Sequence, residues 1–218
     1  VASSATTIVT VCDANLRHLE CQLDGLTTPI VRIYNGLGPQ QPPAPLAARS
    51  RHLVVGVGRL VEKKGFDLLL DAIHLAAPRI PDLRCVLVGD GEERAALETE
   101  ARRLDIEDRV IFTGSLPQDQ VSRWLREAHV MAAPCKVGDD GNQDALPTVL
   151  LEALGAGLPT VTTSVAGIPE IVEHGREGVI VEADASCVAD ALCALMRDDE
   201  LWAAMAAAGP PKLARSFD

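Results

Sequence analysis

From His52 onward, short apolar runs alternate with longer amphipathic stretches. The runs fall at 53–57, 84–88, 110–112, 130–133, 160–162 and 178–181. They are largely non-alternating, as strands buried on both faces of a parallel sheet should be. Between them, helical periodicity appears at 66–77, 92–104, 118–128, 148–156, 169–173 and 186–196. A β-α repeat of this kind, closed by right-handed crossovers, predicts a Rossmann-like doubly wound α/β domain. Before the repeat, 7–11 and 30–34 read as short strands, and 13–23 as a helix with Asp13 as its cap. Asn35-Gly36 closes the second strand, and the Pro-rich stretch at 40–45 reads as a linker.

The chemistry concentrates in Asn142-Gln143-Asp144-Ala145-Leu146-Pro147-Thr148-Val149-Leu150-Leu151-Glu152. Pro147 suits a helix start, where its missing N–H costs nothing. The amides of Thr148, Val149 and Leu150 are then donors at the positive end of a helix, an anion site. Glu152 lies one turn further along the same face, and Asp144 sits in the loop just ahead. A phosphate at the helix end and hydroxyls on the two carboxylates would together describe a sugar nucleotide.

This segment resembles retaining glycosyltransferases of the family 4 type, which have the GT-B fold. They carry two glutamates separated by seven residues; here Asp144 and Glu152 hold that spacing, so the first acid is one methylene shorter. A second stretch, Gly58-Arg59-Leu60 followed by Lys64-Gly65, is similar to the family's diphosphate motif. The resemblance implies that Arg59 and Lys64 hold the donor diphosphate, with Gly58 beneath it. It further implies that Ala145, Leu146, Pro147, Thr148 and Val149 form the donor loop. Asp144 would bind sugar hydroxyls, and Glu152 the ribose. Gly91, in the turn of Val88-Gly89-Asp90-Gly91, and Ser115, in Gly114-Ser115-Leu116, would lie near the nucleotide and its base. Arg59, Lys64 and Asp144 would be the catalytic set. Lys63 and Lys64 are read at the start of the helix after Gly65, where the dipole disfavours cations unless an anion intervenes; Lys63 is left as surface charge. Val165-Ala166-Gly167-Ile168-Pro169-Glu170 also resembles the family, although its plain role is to turn a strand into a helix.

The resemblance covers nearly the whole chain but only part of an enzyme. Residues 1–32 correspond to the tail of an N-terminal domain, and 33–218 to the C-terminal, donor-binding domain. Most of the acceptor-binding domain would be missing, and the isolated fragment inactive. The donor expected is a UDP-, GDP- or ADP-sugar, with no cofactor and no metal, since Arg, Lys and the helix end supply positive charge.

Composition narrows the alternatives. A net charge of −11 argues against nucleic acid and unaided binding to anionic membrane. Membrane contact is expected only through the missing domain. With 47% hydrophobic and 3% aromatic residues, aliphatic packing must build the core. Six cysteines without zinc spacing, and no leader or apolar span, point to a reducing, cytoplasmic setting, at most the inner face of the cell membrane. A nicotinamide site would need Gly-x-Gly-x-x-Gly running straight into a helix, whereas Gly56-Val57-Gly58 is followed by Val61 at the third position. A non-catalytic nucleotide-sugar-binding module is the other alternative.

Overall fold

A computed structural model describes residues 5–25, 27–38 and 41–217. Val1 and Gln40, named in the expected domain tail and linker, lie outside them. Two small strands, β1 (Ile8–Thr10) and β2 (Ile30–Arg32), pair in parallel around helix α1 (Asp13–Gln22). The main sheet contains β3 (Leu53–Val57), β4 (Arg84–Val88), β5 (Val110–Gly114), β6 (Val130–Ala133), β7 (Thr160–Thr163) and β8 (Gly178–Val181). All six run parallel, in the order β5-β4-β3-β6-β7-β8. The chain therefore reverses its direction of winding between β3 and β6, the place where open α/β sheets bind ligands.

Alternate residues of each central strand serve opposite faces. Val54, Cys85, Leu87, Val130 and Ala132 join one apolar cluster with α2 (Phe66–Ala76), α3 (Arg94–Arg103) and α7 (Ala185–Arg197). Leu53, Val55, Val86, Val88, Met131 and Ala133 join the other, against α4 (Gln118–Glu127), α5 (Thr148–Gly155) and α6 (Ile168–Ile171). Both faces being covered is why the strand sequences lack a polar alternation.

The expected doubly wound architecture is present, with three local departures. Helix α1 is capped by Cys12 rather than Asp13: the Cys12 sulfur accepts the Asn15 amide at 3.4 Å. The carboxylate of Glu170 takes the amides of Asp13 and Ala14 at 2.9–3.2 Å and the Tyr34 hydroxyl at 2.9 Å. Burial and the Glu170 hydrogen bond push the Tyr34 hydroxyl up to about 12. Glu170 thus joins the β1-α1-β2 unit to the main sheet. The helical pattern that leads up to Ser216 is α8 (Asp199–Ser216); periodicity set no bounds for it, and it continues through Pro210 and Pro211. It packs on α5, and Phe217 beyond it is buried against Tyr34, ring centroids 4.7 Å apart.

Arg49 is buried and donates to Leu125 and Ala128 carbonyls at the end of α4, and to Ala156 and Gly157 carbonyls at the end of α5. A guanidinium placed there meets the negative ends of two helices at once. Among the described residues no helix is long and apolar enough to cross a membrane.

Candidate nucleotide-sugar site

The site forms where the loop after β3 meets the loop between β6 and α5. After Val57 the chain runs through Arg59 and a short 3-10 turn, Glu62–Lys64, to Gly65, and only then enters α2 at Phe66. Gly65 is left-handed, φ 65°, and a Cβ there would collide with the Pro134 carbonyl oxygen. No other residue type satisfies both requirements without strain. That approach lets the Lys63 carbonyl accept the Lys136 amide at 3.0 Å, while the Glu62 carboxylate takes the Asp139 amide at 3.1 Å. The two loops are sewn together.

At their junction Asp144 forms ion pairs with both lysines. Lys63 Nζ lies 3.0 Å from its Oδ1, and Lys64 Nζ pairs with its Oδ2. Lys63 also donates to Asn142 Oδ1 at 3.2 Å. Burial alone would raise the Asp144 carboxyl, but the hydrogen bonds and charges of Lys64 and Lys63 outweigh it and hold the pKa below the ordinary range. Two expectations are corrected here. The lysines precede the helix in their own turn, separated from it by Gly65, so the dipole of α2 does not account for them. Lys63 is not bare surface charge, and Lys64 does not stand free.

Pro147 occupies the cap position of α5 rather than its first turn. The Leu150 amide is taken by the Pro147 carbonyl at 3.1 Å, so the anion-binding donors at this helix start reduce to Thr148 and Val149. Leu146 is buried and anchors the loop in the core, while the Ala145 carbonyl accepts the Gly167 amide at 2.9 Å. Gly167 therefore has a specific task beyond turning the chain: it holds the loop that leads into α5.

Beside this junction, Gly58, Arg59 and Ser115 line a shallow cleft of 270 Å³ with Val57, Gly89 and Leu116. The Lys64 side chain passes directly over Gly58; a Cβ added there would lie 3.1 Å from Lys64 Cε. Arg59 is exposed. Gly91 is outside the group lining this cleft: its backbone presses on that of Leu60, where any Cβ would collide, and its amide is spent on Asp90 at 2.8 Å. Its demonstrable task is close packing. Glu152 turns toward α4 and lines a second pocket of 490 Å³ with Leu37, Ser122, Leu125 and Ala156. There Gln118 Nε2 donates to its Oε2 at 2.8 Å. Burial pushes the Glu152 carboxyl up, and the Gln118 hydrogen bond opposes that only in part. Gln118, at the start of α4 just past Ser115, and Lys63 are the site residues that sequence reading missed. Each is a polar residue whose partner lies more than thirty residues away.

The arrangement has a cation exposed at a cleft, a lysine pair on one carboxylate, two helix-start amides, and a half-buried carboxylate one turn further along the same helix. Such a set can bind a diphosphate flanked by hydroxyl-bearing rings. The eight-residue passage between Val57 and α2 is unlike the direct strand-to-helix turn of a nicotinamide site.

These features define a Rossmann-like α/β domain of the kind found in GT-B glycosyltransferases. The family described as "glycosyl transferases group 1" matches residues 51–198, and the chain belongs to that family. The amylovoran biosynthesis glycosyltransferase AmsK of Erwinia amylovora is 33% identical over 147 residues, covering 67% of this chain and 36% of that protein. A GDP-mannose-dependent alpha-(1-6)-phosphatidylinositol monomannoside mannosyltransferase of Mycobacterium tuberculosis is 35% identical over 161 residues, covering 73% of this chain and 42% of its own length. The chain thus spans about two fifths of these relatives. Among solved structures, Anabaena HepE in complex with UDP-glucose aligns with a TM-score of 0.85 at 23% identity, over 100% of this chain and 61% of that one. A sucrose-phosphate synthase from Thermosynechococcus elongatus aligns at 0.86 and 21%, over 100% and 55%.

Proposed function

We propose that this chain is the donor-binding part of a retaining glycosyltransferase of the family 4 type, which takes a sugar from a nucleoside diphosphate and transfers it to an acceptor. The observation that carries this reading is the contact between Lys64 and Asp144 beside the start of α5. A phosphate-binding cation and a sugar-binding acid stand side by side, as a glycosyl phosphate bond requires. When that bond breaks, negative charge grows on the departing diphosphate. Arg59 and Lys64 meet it from the β3 side and the amides of Thr148 and Val149 from the α5 side, so the charge is stabilised where it develops. Asp144 orients the sugar through its hydroxyls, and Glu152 holds the ribose. The cleft at Ser115 takes the base end. These cations and amides supply the positive charge without a divalent metal.

The names of the relatives favour a polysaccharide or glycolipid acceptor, since one is named for amylovoran biosynthesis and the other as a phosphatidylinositol monomannoside mannosyltransferase. Acceptor binding would fall to a further domain, as would any contact with the cytoplasmic face of a membrane. The residues described here would bind donor without transferring it, because the reacting cleft needs both walls to position the acceptor and exclude water.

The test is a thermal-shift screen of this chain with UDP-, GDP- and ADP-sugars. One class should raise the melting temperature, and Lys64→Ala should abolish the rise. The longer protein should then convert that donor to a glycoside whose anomeric configuration, followed by proton NMR, matches that of the donor. No response to any nucleotide would overturn the reading; an inverted product would overturn the retaining assignment.

A further inference from the structure

The two lysines on Asp144 are not equivalent. Lys64 belongs to the cleft: its alkyl chain lies over Gly58, next to Arg59. Lys63 belongs to the opposite loop, held by Asn142 Oδ1 at 3.2 Å and, through its own carbonyl, by the Lys136 amide at 3.0 Å. Each takes a different oxygen of Asp144. The side chains of Lys63, Lys64 and Asp144 are 23%, 17% and 14% exposed, covered enough that solvent screens their attraction incompletely.

Two ammonium groups around one carboxylate leave a single uncompensated positive charge. A diphosphate entering the cleft reaches Lys64 first and pairs with it. Asp144 would then be a partly buried carboxylate beside a second anion, an arrangement that raises its pKa and turns it away unless a cation stays with it. Lys63, tied to the other loop, is placed to be that cation.

We propose that Lys63 is a specificity-determining positioning residue: it keeps Asp144 charged and aimed at the sugar while the diphosphate occupies Lys64. This rests on the donor-site reading above and extends it to a residue outside the expected set. Lys63 acts on the sugar through Asp144 and adds little to the affinity for the diphosphate itself.

The two effects separate in calorimetric titrations of this chain with UDP, GDP and ADP, each against UDP-glucose, GDP-mannose and ADP-glucose respectively. For the nucleotide the protein accepts, Lys63→Met should weaken the sugar nucleotide about fivefold or more while changing the nucleoside diphosphate less than about twofold. Lys63→Arg should restore the wild-type ratio of the two affinities. Asp144→Asn should add no further loss when combined with Lys63→Met, because both remove one interaction. A ratio of affinities is insensitive to a general loss of folded protein, so a merely structural role leaves it unmoved. Equal weakening of both ligands would make Lys63 a plain phosphate attractor and overturn the proposal, as would no change in either. Full additivity with Asp144→Asn would overturn it too. Failure of the wild-type protein to bind any nucleotide overturns the donor-site reading together with this one, whereas wild-type binding without the Lys63 selectivity overturns this inference alone.

Discussion

Helices α4 and α5 have opposite ends that use positive charge in opposite ways. At their C-terminal ends the single guanidinium of Arg49, buried, spends its donors on four carbonyls. Burial, with Arg126 adding repulsion, lowers its pKa to about 10, so it stays charged at neutral pH. The loop leading into α5 holds instead two lysines shared on one carboxylate, and the adjoining loop after β3 carries an exposed Arg59. A cation whose donors are all committed to backbone is a structural rivet. A cation held by a carboxylate that can be exchanged for a phosphate is a binding group. The helix dipoles favour Arg49 where it stands, whereas at the start of α5 the dipole favours the carboxylate or a phosphate rather than the cations. The two places also differ in access to water and in the presence of an exchangeable partner.

Removing the rivet should produce the largest effect. Arg49→Met leaves buried carbonyls at two helix ends without a donor, and stability to urea should fall by about 3 kcal/mol or more. A loss under about 1 kcal/mol would mean that water or relaxed backbone takes over, and the contrast between the two ends would weaken.

His129 lies close to the rivet, wholly buried, with its Nδ1 accepting the His52 amide at 3.1 Å. Burial, reinforced by Arg51 and other nearby groups, lowers its pKa to about 4 from 6.5. The unfolded chain therefore takes up this proton below pH 6.5 while the folded chain refuses it until about pH 4. Its contribution to stability is complete above 6.5 and is lost as pH falls from 6.5 toward 4, by roughly 3 kcal/mol in all. His129→Gln should flatten that part of the pH-stability curve. An unchanged slope would assign it to the carboxylates.

At the other end, Lys64→Ala should cost at least about tenfold in nucleoside diphosphate affinity. The folded protein should lose little stability, since Lys63 stays paired with Asp144 when Lys64 is removed. A severe drop in melting temperature would place Lys64 with Arg49 as a rivet and erase the distinction. Arg59→Ala should behave like Lys64→Ala in binding, with no stability change, because Arg59 is exposed.

The two carboxylates divide the ligand, with smaller effects. Glu152→Ala should weaken nucleoside diphosphate and nucleotide sugar alike, because its proposed partner is the ribose. Asp144→Ala should weaken the nucleotide sugar selectively. Gln118→Ala should mimic Glu152→Ala at about one third of its free-energy cost, and 2′-deoxyribose analogues should hide both effects. Equal losses in all three variants for both ligands would show that the site is held together as one electrostatic unit.

The alternation of buried strands and amphipathic helices was legible because it depends only on local periodicity, and Leu53–Val57 and Arg84–Val88 begin and end where the apolar runs do. A helical pattern before Ser216 was legible too, but not the extent of α8, because Pro210 and Pro211 break its local pattern; contacts with α5 carry it through them. The loop from Asp144 to Thr148 and the turn around Lys64 stood out as residue types whose chemistry is rare together. Their roles did not follow from the same reading. Lys64 was placed at a helix start, which Gly65 interrupts, and Lys63 was discarded as surface, since nothing local to it marks a partner 81 positions away.

Sequence by itself determined the α/β alternation, the aliphatic core and the acids and bases available for chemistry, since these are properties of neighbouring residues. Only the tertiary structure decided which of them meet. The order of strands puts β3 beside β6, and that adjacency brings the loop of Lys63 and Lys64 onto that of Asp144. The reversal of winding at the same place leaves the crevice above the strand ends open. Whether a charged side chain is spent on the fold, as at Arg49, or kept for a ligand, as proposed for Lys64, depends on burial and on which partner lies within reach. Both are set by packing between segments distant in the chain.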